Sequence, residues 1–299
     1  LGQAGDDDDT TGSGEAGMDE FRDRVAVVTG GASGIGRALA ARFAAAGMRL
    51  VLADVEEAAL AATVAELEAA GASVVGVGAD VAVAADVDRV RDRALEAFGA
   101  VHVVCNNAGV GGGGIIDAPL ELWDWVLGVN LYGVVHGVHT FLPLLLEQDE
   151  GHIVNTASLA GLGGVAALGI YCTSKFAVVG LSESLHHDLA ARGSNVGVSV
   201  LCPGFVQTNI GRSDRNAPES LRAWVDSRDA AGMRDMAEAL AAAGIPPATV
   251  ADAVFDAVAQ RRFFVVPHEH VALATTRARL QWMEGGDPPH LDASRAVQP

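Results

Sequence analysis

The chain is short of positive charge. Its 299 residues carry 20 Lys plus Arg against 38 Asp plus Glu, a formal net charge of −18, and no dense basic stripe offsets it. Such a surface repels phosphate backbones and anionic lipid headgroups, so neither nucleic acid nor membrane is expected as a partner. Aromatic residues are scarce as well, 5% of a chain that is 50% hydrophobic, which leaves Ala, Val, Leu and Ile to build the core. That composition suits a parallel sheet flanked by helices better than a β-sandwich. Cysteine is rare: Cys105, Cys172 and Cys202 are odd in number, lack CxxC spacing and sit in or beside apolar runs. This predicts a reducing, cytoplasmic setting and no disulfide framework. No uninterrupted apolar run approaches the ~18 residues of a membrane span, and the first twenty residues are acidic and Gly-rich, unlike an export signal.

From residue 24 onward, short β-branched runs alternate with longer Ala/Leu/Glu segments of helical spacing. This is the pattern of βαβ units, so the expected fold is α/β, a Rossmann-type doubly wound parallel sheet of about seven strands. The pattern predicts strands near 25–29, 49–53, 73–78, 101–105, 151–156, 196–201 and 263–266. Helices are expected near 35–46, 56–70, 86–98, 119–147 (as two), 169–192 and 247–260. Gly47, Gly71, Gly99 and Gly193 stand just past helix ends, where a left-handed residue closes the last turn. Pro143 falls inside a helical run and predicts a kink or rearrangement around 139–143. Residues 1–20, with the run Asp6 to Asp9, read as an acidic tail too polar to fold; Met18 would make a natural start, and sequencing the native N-terminus tests that. Residues 21–270 form the sheet domain, with a helical substrate lid at about 207–246, and 271–299 form a C-terminal extension.

Directly after the first strand comes Thr29-Gly30-Gly31-Ala32-Ser33-Gly34-Ile35-Gly36, and a helix begins at once. Gly30 permits a tight turn, Gly34 and Gly36 allow close backbone approach, and the new helix points free N–H groups at a pyrophosphate; Ser33 and Ile35 belong to the same cradle. Asp54 ends the second strand at the distance expected of an acidic residue that binds the ribose hydroxyls. A carboxylate there repels a 2′-phosphate, which favours NAD over NADP, whereas Arg37 beside the cradle pulls the other way. Asp80 and Val81 follow the third strand, placed to meet the adenine, although Asp80 also reads as a turn cap.

With these go Asn106-Asn107-Ala108-Gly109 after the fourth strand, Asn130, Ser158, Tyr171-Cys172-Thr173-Ser174-Lys175, and Pro203-Gly204. In this order and spacing, over about residues 22–210, the chain resembles the classical short-chain dehydrogenase/reductase family. The resemblance implies a homotetramer or homodimer built through two long helices. It also implies that Asn107, Ala108 and Gly109 support the central strand and the adenosine ribose, that Asn130 holds a proton-relay water, and that Val206 and Thr208 meet the nicotinamide carboxamide.

Removing a hydride from an alcohol carbon leaves a proton on oxygen, so the site needs a base beside that oxygen and a donor to hold it. Tyr171 and Ser158 fit those roles. A phenol ionises near ~10, and bringing it close to neutrality takes about 4 kcal/mol of preferential stabilisation. Lys175, four residues on and so on the same helical face, is expected to supply most of it. The expected reaction is hydride transfer between NAD(H) and a secondary alcohol or ketone. Rival readings are an NADP-dependent reductase, a nucleotide-sensing scaffold of the same fold, and an epimerase or dehydratase of nucleotide sugars, for which a larger C-terminal domain is usual. Of nine histidines none has metal-ligand spacing, so no metal is assigned; His268 to His270 follow the last strand and read as a surface turn, with approach to an active site in an oligomer as the alternative. Cys172 points away from the Tyr171 face and reads as packing. Ile115, Ile116, Trp224, Met233 and Met236 are candidates for an apolar pocket, which would make the substrate lipophilic.

Overall fold

The computed structural model describes residues 21–116 and 118–289; the acidic tail lies outside them. Seven parallel strands form one sheet in the order β3-β2-β1-β4-β5-β6-β7. They are β1 (Val25–Thr29), β2 (Arg49–Asp54), β3 (Val74–Gly78), β4 (Val103–Asn106), β5 (Gly151–Thr156), β6 (Val196–Leu201) and β7 (Phe264–Val265). The order reverses between β1 and β4, so the chain leaves a crevice at their carboxyl ends, where doubly wound sheets take ligands.

Each strand side chain alternates between two cores. Ala26, Val28, Leu50 and Leu52 face one layer, with Phe43 of α1 (Gly34–Ala45), Leu60 of α2 (Glu57–Ala69) and Val254 of α9 (Pro247–Ala259). Val25, Val27, Val51 and Ala53 face the other, against Val90 of α3 (Ala84–Phe98), Phe141 of α5 (Gly133–Gln148) and Leu189 of α6 (Gly169–Ala191). Because both faces of the sheet are covered, its strands are mostly apolar and nearly all aliphatic, and the buried polar residues His152, Asn155 and Ser199 are hydrogen-bonded to other side chains. Gly47, Gly71, Gly99 and Gly193 all adopt positive φ, between 64° and 88°, as their places behind helix ends predict.

The kink or rearrangement expected around Pro143 does not interrupt the helix. α5 runs through Pro143 without interruption, and the irregularity falls earlier, where a π turn at Gly128–Tyr132 joins α4 (Leu120–Leu127) to α5. The π turn carries Asn130, whose side chain bonds to the neighbouring loop, so a tertiary contact and not the proline sets where the backbone departs from α geometry. The continuous stretch Leu120–Gln148 is long and apolar enough, by composition, to cross a bilayer. Here Leu122, Val126, Val134, Phe141 and Leu145 are buried in the protein's own cores, as in any central helix.

Residues 207–244 leave and rejoin the body at one narrow stem. Val206 bridges to Ile245, the Gln207 N–H donates to the Ile245 carbonyl at 3.0 Å, and the Ile245 N–H donates to the Phe205 carbonyl at 3.1 Å. A 3-10 stretch at Ile210–Asn216, the short α7 (Arg222–Val225) and α8 (Arg228–Ala242) fill the excursion. The last helix, α10 (Glu269–Met283), starts directly after β7 and contains the expected 270/271 boundary in its first turn.

Candidate active site

A cleft of about 440 Å³ opens at the carboxyl ends of β1, β2, β4, β5 and β6. Of the residues singled out from the sequence, it is lined by Gly30, Ser33, Gly34, Ile35, Asp54, Asp80, Val81, Asn107, Ala108, Gly109, Ser158, Tyr171, Lys175, Pro203, Gly204, Val206 and Thr208. Gly36 and Asn130 stand behind its walls.

The glycine turn is built for close approach. Gly30 has φ +65°, and a Cβ there would lie 2.9 Å from the Ala108 Cα; a Cβ on Gly36 would lie 2.0 Å from the Gly30 carbonyl oxygen. No side chain larger than hydrogen fits at Gly36 without moving α1 off the strand. Thr29 ties this turn to the β4 loop: its hydroxyl accepts the N–H groups of Asn107 and Ala108 at 3.0 and 3.1 Å, and the Asn107 amide donates to the Thr29 carbonyl at 3.0 Å. Ser33 is the N-cap of α1 but makes no side-chain capping bond, and the first turn holds no acidic residue. The leading N–H groups of α1 are therefore left to face the cleft, which suits a diphosphate.

Asp54 forms the next wall. Its Oδ2 accepts the Ala32 N–H and its Oδ1 the Glu56 N–H, both at 3.0 Å. An ionised carboxylate has about four lone-pair sites, so two ribose hydroxyls can still be accepted. Arg37 points elsewhere and pairs with Glu66. Asp80 does cap its turn, accepting the Ala82 N–H at 2.9 Å, while also lining the cleft. The cradle, the free helix terminus and the Asp54 carboxylate on one cleft wall together fit a nicotinamide dinucleotide.

At the far end Tyr171 and Ser158 line the cleft together, and the Ser158 hydroxyl acts to lower the Tyr171 phenol. The Lys175 ammonium, one turn along α6, donates to the Thr156 carbonyl at 2.9 Å and lies 5.5 Å from the centroid of the Tyr171 ring. The balance of charge differs from the sequence expectation. Burial pushes the Tyr171 phenol up to about 12, with the Ser158 hydroxyl opposing it and the sulfurs of Cys172 and Cys202 adding to it. Burial likewise pulls Lys175 down to about 8. The apolar surroundings that shield the site penalise both charged forms, and in the protein alone this outweighs the help expected from the lysine.

Asn130 is fully buried and its side chain is occupied: Oδ1 accepts the Val110 N–H at 2.8 Å, while Nδ2 donates to the Val110 carbonyl at 3.0 Å and the Ser174 hydroxyl at 3.1 Å. It braces the wall between β4 and α6, and both its amide hydrogens are committed. Cys172 is packed, as expected, and accepts the Val165 N–H at 3.3 Å. Among the described residues no cluster of His, Cys, Asp and Glu could hold a metal ion.

One part of the remaining wall is apolar, with Val110, Trp125, Leu168, Trp224, Met233 and Val271, and another is polar, with Ser213, Asp214, Arg215, Asn216 and Arg234. Trp224 and Met233 are where the sequence placed them, but Ile115, Ile116 and Met236 are 62%, 88% and 67% exposed. On α8 the inward stripe is Ala230, Met233, Arg234, Ala237 and Ala241, and Met236 falls on the far flank. Ionic contacts that the sequence did not reveal hold the 210–216 stretch across the cleft. Arg215 and Asn216 both bond Glu56, two residues past Asp54; Arg234 meets Asp214 at 2.5 Å; Arg212 meets Glu238 at 2.7 Å. His268 is not on a surface turn either. It is buried, and its Nδ1 accepts the Gly204 N–H at 3.1 Å.

A parallel sheet with a glycine cradle at its switch point and a Tyr, Lys and Ser cluster beside it defines a dinucleotide-dependent oxidoreductase. Residues 24–219 match the family model for short chain dehydrogenases, and the chain belongs to that family, whose members act on CH–OH groups. A solved short chain dehydrogenase/reductase from Burkholderia phymatum, in complex with NAD, is 48% identical with a TM-score of 0.87, covering 91% of this chain and 99% of that one. The CLA biosynthesis dehydrogenase/reductase of Lactiplantibacillus plantarum is 32% identical over 92% of this chain and 98% of its own length. The 1-deoxy-11-beta-hydroxypentalenate dehydrogenase of Streptomyces exfoliatus is 46% identical over 62% of this chain and 68% of its own.

Proposed function

We propose that this protein interconverts a lipophilic secondary alcohol and its ketone with NAD(H), using Tyr171, Ser158 and Lys175. The observation that carries the reading is the meeting of these three side chains with the Gly30–Gly36 cradle and Asp54 along one cleft. A bound nicotinamide dinucleotide supplies the hydride acceptor or donor and, when oxidised, a positive charge. The protein's share is the proton and the geometry. In reduction Tyr171 gives its proton to the substrate oxygen, and Ser158 holds that oxygen with a hydrogen bond. A phenol held near 12 is already in the donating form. In oxidation Tyr171 must accept a proton, and reaching neutrality from about 12 takes about 7 kcal/mol of favourable interaction with positive charge. Lys175 and an oxidised nicotinamide are the two cations available for it.

The NAD preference rests on Asp54, whose carboxylate disfavours a 2′-phosphate. The NADP alternative is kept alive by Arg215, a cation on the cleft wall that Glu56 neutralises. The lipophilic substrate is argued from Trp125, Leu168, Trp224 and Met233, and the Streptomyces relative is named for a hydroxypentalenate. Residues 207–246 serve as the lid, hinged at the stem of Val206 and Ile245.

Parallel titration with NADH and NADPH, followed by nicotinamide fluorescence, tests the cofactor. Tighter NADH binding, with NAD-dependent oxidation of 1-phenylethanol, is the expected result. Preferential NADPH binding overturns the cofactor assignment, and binding of neither overturns the function.

A further inference from the structure

The peptide unit between Pro203 and Gly204 is held from both sides. Its carbonyl oxygen accepts the Leu159 N–H at 2.9 Å and the Ser158 hydroxyl at 3.4 Å. Its N–H donates to Nδ1 of His268 at 3.1 Å. One peptide plane therefore joins Ser158 to a histidine that lies 64 residues beyond Gly204, at the start of α10.

Such a plane needs holding. It turns about ψ of Pro203 and φ of Gly204, and glycine offers the least resistance of any residue to that rotation. A turn of the plane carries the Pro203 carbonyl away from the Leu159 N–H, so the backbone that carries Ser158 loses its tie, while the Ser158 Oγ keeps only the Ala160 N–H at 3.1 Å. Tyr171 lines the same cleft beside Ser158, so a displaced Ser158 alters the pair that handles the substrate oxygen. Because Nδ1 accepts, the neutral imidazole carries its hydrogen on Nε2, the tautomer that this bond assigns. Burial, and then the neighbouring His270, hold the imidazolium below its ordinary range and keep that neutral form. Nε2 is buried and finds no protein partner among the described residues. A leucine would fill this space with no polar atom to satisfy, so what the imidazole adds is the acceptor at Nδ1.

We propose that His268 is a positioning residue for the reaction: by holding the Gly204 N–H it fixes the Pro203–Gly204 peptide, and through the Leu159 N–H bonded to that peptide the place of Ser158, whose hydroxyl hydrogen turns from the Pro203 carbonyl to the substrate oxygen when substrate binds. The proposal rests on the function given above for Ser158. It also assigns the start of α10 to the machinery of the site, with no contact to substrate required of the histidine.

Three variants of the full chain test it. His268→Asn places an acceptor close to the Nδ1 position, His268→Gln reaches toward Nε2 instead, and His268→Leu has none. With NAD and 1-phenylethanol, Leu and Gln are expected to lower kcat about tenfold or more with the alcohol KM within about twofold, and Asn to restore kcat to within about threefold. Unchanged kcat in the Leu variant overturns the proposal. So does an equal loss in the Asn variant, which would mark His268 as packing alone. Hydrogen exchange of the Gly204 amide gives a reading that needs no turnover. It should be slow in the wild type and the Asn variant and about tenfold faster in the Leu variant. Unchanged exchange in the Leu variant overturns the inference even if the wild type acts on no alcohol, whereas an inactive wild type with the expected exchange pattern sinks only the assigned reaction.

Discussion

Lys175→Met removes a charge that folding must strip of water. Lys175 is 3% exposed, and burial lowers its ammonium from 10.5 to about 8. With a depressed lysine value the folded state holds the proton less tightly than the unfolded one. Below pH 8 both states are charged and the folded state bears the whole penalty. Between 8 and 10.5 the folded lysine releases its proton first, and the wild type gains stability as pH rises. The interval corresponds to about 3 kcal/mol at pH 7. Against it stands the charge-assisted hydrogen bond to the Thr156 carbonyl at 2.9 Å, which contributes about 1.5–3 kcal/mol. The methionine variant should therefore be as stable as the wild type at pH 7, or up to about 2 kcal/mol more stable, while losing turnover. At pH 9.5 the wild type should have recovered about 2 kcal/mol, so the advantage disappears or reverses. Cys105 and Cys202, which burial raises to about 12, are present in both proteins and cancel in the comparison. Urea unfolding at the two pH values gives the four free energies needed. A variant less stable by more than about 2 kcal/mol at pH 7, or a difference that ignores pH, would refute the claim that a desolvated ammonium sits here.

Tyr171→Phe keeps the ring and its packing, so NADH binding should persist while kcat falls by about 100-fold or more; normal turnover rules out the phenol as the proton-transfer group. Gly36→Ala puts a Cβ 2.0 Å from the Gly30 carbonyl oxygen. Relieving that overlap pushes α1 off β1 at a cost of about 1–3 kcal/mol, to be read as a lowered Tm together with weaker NADH binding, and wild-type values for both would contradict the close approach. Asp54→Asn loses the charge and one of the two oxygens that accept the Ala32 and Glu56 N–H groups, so NADPH should gain on NADH in parallel titrations; an unchanged ratio places cofactor discrimination elsewhere. Trp224→Ala opens the apolar wall, and KM should rise for large lipophilic alcohols more than for small ones.

Much of this protein could be read from short windows of sequence. The period of its apolar residues gave the strands and helices of a parallel sheet, because a strand buried on both faces is apolar along most of its length. The left-handed conformations of Gly47, Gly71, Gly99 and Gly193 follow from their places behind helix ends, and the Gly30 to Gly36 cradle follows from the order strand, glycine turn, helix. Tyr171 and Lys175 share a face because they are four residues apart on α6. Each of these is a local property, fixed by backbone geometry within one or two elements.

What the sequence missed depends on residues far away in the chain or on the summed surroundings of a group. Nothing near His268 signals that its acceptor is Gly204's partner, since α10 and the β6 loop meet only when the sheet is complete. Helical spacing favoured Met236 as much as Met233, and only the docking of α8 decided which one faces the cleft. The π turn that buries Asn130 against Val110 arises from packing that no local pattern records. The phenol of Tyr171 sits higher than one neighbouring lysine suggested because desolvation adds up over every apolar atom around the site. Pairwise chemistry was legible in the sequence, whereas the dielectric surroundings and the long-range contacts were set by the tertiary structure alone.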